Sequence, residues 1–276
     1  MALSYVGGTS GVGTSNGYTV SLNGTLTGGY NTSPSTGDIV IVCTAFANAG
    51  SSAPAVSGNG TGSYTNFQAA LHVNDTWDTE FISAYKVQGA SVDTTLTITR
   101  VTSTAYGGAT VVQVWRGQHT SSPINQNAAA TSASGVSRGT PPAVTPTVDG
   151  SIVIGFGAGT QTTTGTAFTI GAPLSSNQIS VKSDGSTSDI GVWIASTTGT
   201  NGSATTPATW AGGTTSTSSS WAGKTIVLAP LPSVPSGIKV WDGGSWGYKP
   251  VKVWSGSTWV VKPVKVWNGS SWITKG

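Results

Sequence analysis

The chain has 276 residues and a formal net charge of +3, and only 8% of its residues are charged. Globular domains usually carry about 25% charged residues. Its 39 glycines and 13 prolines are too few for a disordered composition, in which these two residues together reach about 25–30%. A weakly charged chain rich in Gly, Ser, Thr and Val is typical of an all-β protein with many turns, and points away from a solvated intracellular enzyme.

The N-terminus and the single cysteine bear on where the protein works. Cys43 is alone, so no disulfide forms within the chain, and its apolar surroundings predict a buried, unreactive thiol. Residues 1–5 lack the basic and apolar regions of a signal peptide, and no run approaches the ~20 apolar residues of a membrane span. If the protein works outside a cell, we therefore expect it to leave by a route other than signal-peptide secretion, and assembly into a virus particle released by lysis is one such route.

Apolar and β-branched runs predict the core strands in chain order. The predicted strands are residues 18–22, 39–47, 81–87, 96–99, 111–115, 151–156, 190–195 and 225–228. Residues 118–148, with four prolines, are predicted to be irregular. Short strands at this spacing predict an antiparallel, jelly-roll-like β-sandwich over residues 1–229. The strands that begin near 39, 81 and 111 resemble those near 152, 190 and 225, as expected of a duplication or of two similar sheets.

The last part of the chain repeats one unit three times. After a Pro-rich linker at residues 230–237, residues 238–276 carry first tryptophans at 241, 254 and 267 and second tryptophans at 246, 259 and 272, a period of 13 residues. Val-x-Trp, a four-residue Gly-containing loop and a returning Trp predict a β-hairpin whose two indoles face each other. Because a lone hairpin is marginally stable in water, the three should stack on each other, on the body or on other chains.

The repeats also concentrate positive charge. Residues 239–276 contain six lysines and one acid, Asp242, whereas the rest of the chain is slightly acidic. Such an end could suit anionic glycan, nucleic acid or a membrane surface, but the regular spacing of the lysines favours a solvated rim, and we expect neither nucleic-acid binding nor membrane insertion. The candidate ligand-binding or subunit-interface residues are Trp241, Trp246, Trp254, Trp259, Trp267, Trp272, Lys252 and Lys265. The favoured interpretation is that the indoles form the core of the hairpin stack or seal it against neighbouring subunits.

Signals for catalysis and metal binding are weak. His72 and His119 are isolated, and the Gly-x-Ser-x-Gly match at residues 135–139 is followed by two prolines instead of the helix that a nucleophile elbow needs. Asp75, Asp78 and Glu80 could supply oxygen ligands to Ca²⁺, but a solvated turn is the favoured interpretation. We therefore expect no enzyme activity, no catalytic residue, no metal site and no cofactor.

A family resemblance gives these features a context. The Val-Lys-Val-Trp-(Ser/Asn)-Gly-x-x-Trp repeats resemble those at the ends of phage minor tail and fibre-like proteins. The body resembles a β-sandwich of tailed-bacteriophage virion proteins at residues 81–87, 111–117, 122–124 and 149–154. The resemblance implies a virion structural role at a host-facing surface, with the protein made in the host cytoplasm and carried on the extracellular particle. It also implies other virion proteins as partners and a homo-oligomer, commonly a trimer. The repeats are also similar to tryptophan-rich choline-binding modules, but their period is shorter and their aromatic pattern differs.

Three functions remain open at this point. The first is a minor tail or fibre-like component that contacts the host surface. The second is a capsid decoration or head-fibre protein. The third is a carbohydrate-binding module in which Trp254, Trp259 and their equivalents stack on host surface glycan.

Overall fold

The protein is all-β and divides into two compact units. A computed structural model describes residues 2–13, 17–47, 54–74, 78–100, 107–134, 139–161, 168–183, 189–210, 220–231, 238–241, 243–262, 264–267 and 269–275. These residues form antiparallel strands and turns without a helix, which confirms the predicted fold class. One unit, the body, is Ala2–Leu231, and the other, the C-terminal module, comprises residues 232–276.

The strands of the body are numbered in chain order. They are β1 (Ser4–Gly13), β2 (Gly17–Ser21), β3 (Ile39–Ala47), β4 (Ala55–Gly58), β5 (Thr65–Asn66), β6 (Leu71–Val73), β7 (Thr79–Val87), β8 (Thr95–Thr99), β9 (Gly108–Arg116), β10 (Ile124–Asn127), β11 (Thr131–Ser134), β12 (Ile152–Gln161), β13 (Ser176–Lys182), β14 (Asp189–Thr198) and β15 (Ser220–Leu228). The prediction that residues 118–148 are irregular is therefore partly wrong, because β10 and β11 lie within this range and pair with β15.

Two large sheets form the body, and the five strands along the main path of each follow an equivalent order. The first runs β1-β9-β3-β7-β5, with β6 also on β7, and the second runs β10-β15-β12-β14-β13, with β11 also on β15. In each sheet the central strand, β3 or β12, lies between the next two long strands of its own half of the chain. Ile39 pairs with Val87 and Trp115, and Ile152 occupies the equivalent position in the second sheet. The similarity of the two halves in sequence thus corresponds to two sheets of equivalent topology.

The two large sheets pack face to face around an inner core. This core takes Ile39, Ile41 and Cys43 from β3 and Ile154 and Phe156 from β12, all fully buried. The buried Cys43 agrees with the sequence prediction, and burial raises the pKa of its thiol well above the usual value. The jelly-roll part of the prediction is not confirmed, because each large sheet is built from one continuous half of the chain.

The outer face of each large sheet is also covered, which explains why the central strands are apolar on both sides. A small sheet of β2, β8 and β4 covers the first, with Val20, Leu96 and Ile98 packed on Val40 and Val42. The second is covered by loop residues, which form an aromatic cluster with the strands. The members of this cluster are Phe168, Trp193, Trp210 and Trp221, with ring centroids of neighbouring pairs 5.3–5.8 Å apart.

Two buried charged groups stand out in the body. The carboxylate of Asp93, just before β8, is fully buried and accepts hydrogen bonds from Lys86 Nζ at 2.8 and 3.0 Å. Lys224, on β15, is also buried, and its Nζ donates to the carbonyl oxygen of Ala128 at 2.6 Å. Burial disfavours the charged form of this amine and lowers the pKa of Lys224 to about 8.

Candidate functional site

Each repeat of the C-terminal module forms its own two-stranded antiparallel sheet. The strands are β16 (Ile238–Trp241), β17 (Trp246–Lys249), β18 (Lys252–Trp254), β19 (Trp259–Val261), β20 (Val264–Trp267) and β21 (Trp272–Lys275). In all three hairpins the last residue of the first strand pairs with the first residue of the second, and both are tryptophans. The 13-residue period of the sequence therefore corresponds to three hairpins of one register.

The loop between the paired tryptophans has the same backbone conformation in each repeat. Its second residue is a glycine with a positive φ: 97° at Gly243, 99° at Gly256 and 99° at Gly269. Residues with a side chain rarely adopt this conformation, so glycine fits it best. In the middle repeat Ser255 closes the loop, because its backbone N–H and its Oγ both lie 2.9 Å from the carbonyl oxygen of Thr258. Ser255 stands where the other repeats have Asp242 and Asn268.

The two indoles of each repeat contact each other across the hairpin. Their ring centroids lie 5.6–5.7 Å apart, and the ring planes are inclined by 57–62°. The first indoles remain 51–52% exposed and the second indoles, Trp246, Trp259 and Trp272, are 63–65% exposed. Within the single chain the indoles contact each other pairwise and stay more than half exposed, so they do not form a buried core there. The alternative interpretation, that they seal against neighbouring subunits, stays a prediction.

Each hairpin has two different faces. In the middle repeat Lys252 and Val261 are paired two positions from the indoles, so they share the indole face. The opposite face, the aliphatic face, carries the pair Val253 and Val260, which are 48% and 38% exposed. Alternation along the strands assigns Lys239 and Lys265 to the indole faces of the other two repeats. It assigns Ile238, Val240 and Val264 to their aliphatic faces.

The indole faces are positively charged. Lys252 and Lys265, the two lysines singled out from the sequence, are exposed, and the described residues provide neither with a carboxylate partner. Asp242 is the only acidic side chain in residues 239–276. The arrangement combines exposed aromatic rings, a cation on the same face and almost no negative charge, which is suited to stacking against a flat or ring-shaped ligand that carries an anionic group.

The residues considered for a metal site are in a different environment. Asp78 and Glu80 are buried, whereas a solvated turn was expected, and Asp75 lies outside the described residues. Glu80 lies opposite His72 in the first sheet, with 3.8 Å between His72 Nδ1 and Glu80 Oε1, and its other oxygen lies 3.8 Å from Nε of Arg100. Among the described residues no group of three His, Cys, Asp or Glu side chains is arranged to hold a metal ion.

The remaining catalytic signals do not come together in the part of the chain that the structure describes. His119 Nδ1 accepts hydrogen bonds from the backbone N–H groups of Ser121 and Ser122 at 3.3 and 3.1 Å, as a residue that closes a local turn does. Of the Gly-x-Ser-x-Gly match, only Gly139 is described, and it lies against the ring of Trp221.

Sequence reasoning identified the paired tryptophans and the two exposed lysines, but it did not predict the exposure of the indoles. Whether an indole is buried depends on how the hairpins pack, which the repeat pattern leaves open. No helix among the described residues has the length and apolar character needed to cross a bilayer. Comparisons with protein-family models, with curated proteins and with solved structures give no match to this chain.

Proposed function

We propose that this protein is a non-enzymatic structural component of a tailed-bacteriophage particle, a minor tail or fibre-like protein whose C-terminal module is exposed on the particle. The observation that carries the proposal is the module itself: three hairpins of one register that form a compact unit of their own, each with an indole face and an aliphatic face. This organisation suits a protein in which one unit anchors and the other projects, and it agrees with the resemblance of the repeats to phage tail and fibre-like proteins.

The aliphatic faces support assembly with other chains. A two-stranded hairpin is marginally stable in water, and these hairpins expose apolar side chains on both sides. Val253 is about half exposed in the single chain, as is Ile238 in the first repeat. Packing of aliphatic faces between copies of the chain would remove this surface from water and stabilise the hairpins at the same time. We therefore assign the aliphatic faces to a homo-oligomer, a trimer by analogy with fibre-like proteins, and the indole faces to the outside.

The direct test is to locate the protein on particles. Antibodies raised against the full-length chain, coupled to gold and imaged on purified particles, should label the tail at a few copies per particle. Label spread over the head in large numbers would instead assign the protein to capsid decoration. Particles that lack the protein altogether would refute a virion role.

A truncation separates the two units. A chain that ends at Leu231 should keep a folded body, because the body has its own inner core and covered outer faces. We expect this truncated protein to melt cooperatively but to have lost self-association and binding to host cells. A truncated protein that still assembles and still binds cells would contradict the role given to the module.

A further inference from the structure

We infer that the three indole faces bind an acidic polysaccharide, one whose sugar rings carry carboxylate or phosphate groups. The inference rests on the proposed function, because it needs the module to face the outside of the particle. It goes beyond it by naming the chemistry of the partner, and it assigns different roles to the two tryptophans of each repeat.

The second indole of each pair is the main stacking surface. In all three repeats it is more exposed than the first, at 63% against 52%, 64% against 52% and 65% against 51%. The planes are inclined by about 60° within each pair, so the first indole supports the second and fixes its orientation. A fixed aromatic ring binds the apolar face of a sugar with little loss of side-chain entropy, because an indole has only two rotatable side-chain bonds.

A lysine stands at the same place beside each first indole. Lys239, Lys252 and Lys265 all lie two residues before the first tryptophan and on its face of the hairpin. Two residues along a strand span about 6.6 Å, and the flexible lysine side chain covers this distance. A sugar stacked on the indoles would therefore place an acidic substituent within reach of an ammonium group. With Asp242 as the only competing carboxylate in the repeats, the face is complementary to a negatively charged ligand.

Acidic glycan fits this surface better than nucleic acid does. Single-stranded nucleic acid is bound by open aromatic platforms, and arginine suits it better than lysine because a guanidinium stacks on bases and binds phosphate through two hydrogen bonds. The repeats contain six lysines and no arginine, and each indole pair is inclined and partly closed on itself. Three equivalent sites at a 13-residue spacing also suit a polymer of repeating units, since linked sites raise the overall affinity without new contacts.

The test uses the full-length protein and defined polysaccharides. Polygalacturonate, a phosphate-bearing teichoic acid, neutral dextran and a single-stranded oligonucleotide are titrated into the protein by calorimetry at low and at physiological salt. We expect binding of at least one of the two acidic polymers, weakened at the higher salt because exposed charges are screened. Dextran should bind at least tenfold more weakly. The chain-length dependence should be steep, with the polymer binding about a hundredfold tighter than its trisaccharide.

Matched variants separate the two faces. Trp259→Ala alone should weaken binding about two- to tenfold, and the triple change Trp246→Ala, Trp259→Ala and Trp272→Ala should abolish it. Lys252→Gln with Lys265→Gln should weaken binding of the acidic polymer. Alternation along the strands places Lys249 and Lys262 on the aliphatic faces. Lys249→Gln with Lys262→Gln therefore removes the same charge from the aliphatic faces and should weaken binding of the acidic polymer much less. Circular dichroism of each variant checks that the body remains folded.

Several results would overturn the inference. These are no binding of either acidic polymer, equal affinity for dextran, equal losses from the two lysine pairs, or tighter binding of the oligonucleotide through the same residues. Failure of the proposed function looks different, because it appears as absence of the protein from labelled particles and does not depend on any titration. Label on the tail without glycan binding would reject this inference and keep the virion role.

Discussion

Replacing Asp93 with asparagine tests how much the buried ion pair of Asp93 and Lys86 stabilises the body. The fully buried carboxylate accepts from Lys86 Nζ at 2.8 and 3.0 Å, from Gly60 N at 2.6 Å, from Tyr64 Oη at 3.0 Å and from Gln88 Nε2 at 3.2 Å. Burial alone would raise the pKa of Asp93, but these hydrogen bonds outweigh it and hold the pKa below its usual value. Asp93→Asn removes the charge that compensates the ammonium of Lys86, which is itself buried.

The size of the effect follows from the burial of both partners. Removing one member of a buried ion pair costs about 3–5 kcal/mol, because the other charge is left without compensation. In a unit of the size of the body, each kcal/mol lowers the melting temperature by about 2–4 °C. We therefore expect Asp93→Asn to melt about 6–20 °C below the natural chain at pH 7. Asp149→Asn, a change of the same kind at an exposed turn, should alter the melting temperature by less than about 2 °C.

The pH dependence gives an independent check. Because the pKa of Asp93 is lower in the folded than in the unfolded chain, its contribution is complete above the unfolded value of about 3.9 and is lost as the pH falls through the folded value. The difference in melting temperature between the natural chain and Asp93→Asn should stay constant from pH 7 to about 5 and shrink below about 4. Calorimetry across this range measures it. The reasoning would be refuted if Asp93→Asn melted at the same temperature as Asp149→Asn. It would also be refuted if the difference in melting temperature between the natural chain and Asp93→Asn did not change down to pH 2.

Three further predictions concern the two units. If the proposed homo-oligomer forms through the aliphatic faces, Val253→Asp on that face should dissociate it in analytical ultracentrifugation. Val261→Asp, on the indole face of the same hairpin, should not, and equal effects would reject the assignment of the faces. Gly256→Ala places a β-carbon at a φ of 99° and should destabilise its hairpin by about 1 kcal/mol, seen as a weaker indole exciton signal in circular dichroism. Gly247→Ala, at a position with open space and no positive φ, should leave that signal unchanged. Lys224, whose pKa burial lowers to about 8, costs stability below pH 8 and less as the pH rises toward its unfolded value of about 10.4. The melting temperature of Lys224→Met minus that of the natural chain should therefore decrease between pH 7 and 10, because only the natural chain gains stability over this range. A constant difference would exclude the buried amine as the cause.

The central strands were predictable because they are buried on both faces. The nine residues of β3 are all buried, and such a strand appears in sequence as a continuous apolar run. The polar edge strands were not predictable. In β13 and β11 the residues are mostly Ser, Thr, Asn and Gln, and they are strands because β14 and β15 offer them backbone partners. Pairing of this kind depends on the tertiary structure and leaves little pattern in the sequence.

In the candidate site, the pairing of the tryptophans across each hairpin was predictable from the sequence, whereas the solvent exposure of the indoles was not. The loop length and its glycine determine the hairpin register, so the facing of Trp254 and Trp259 follows from local chemistry. The exposure of the indoles depends on how the hairpins pack, which the repeat pattern leaves open. The buried ion pair of Lys86 and Asp93 was missed for a related reason, since two charged residues seven positions apart give no sign that both will be buried.

Because each large sheet comes from one half of the chain, the two halves of the body are linked by a single backbone connection. The backbone passes from one large sheet to the other once, between the end of β9 and the start of β10, and residues 120–122 of this passage are exposed. The body is in this sense a dimer of halves joined by a single tether. A protease cut within that tether should leave two fragments that stay associated through their shared interior and reassemble after denaturation. Either fragment alone should aggregate, because the apolar inner face of its sheet would be exposed to water.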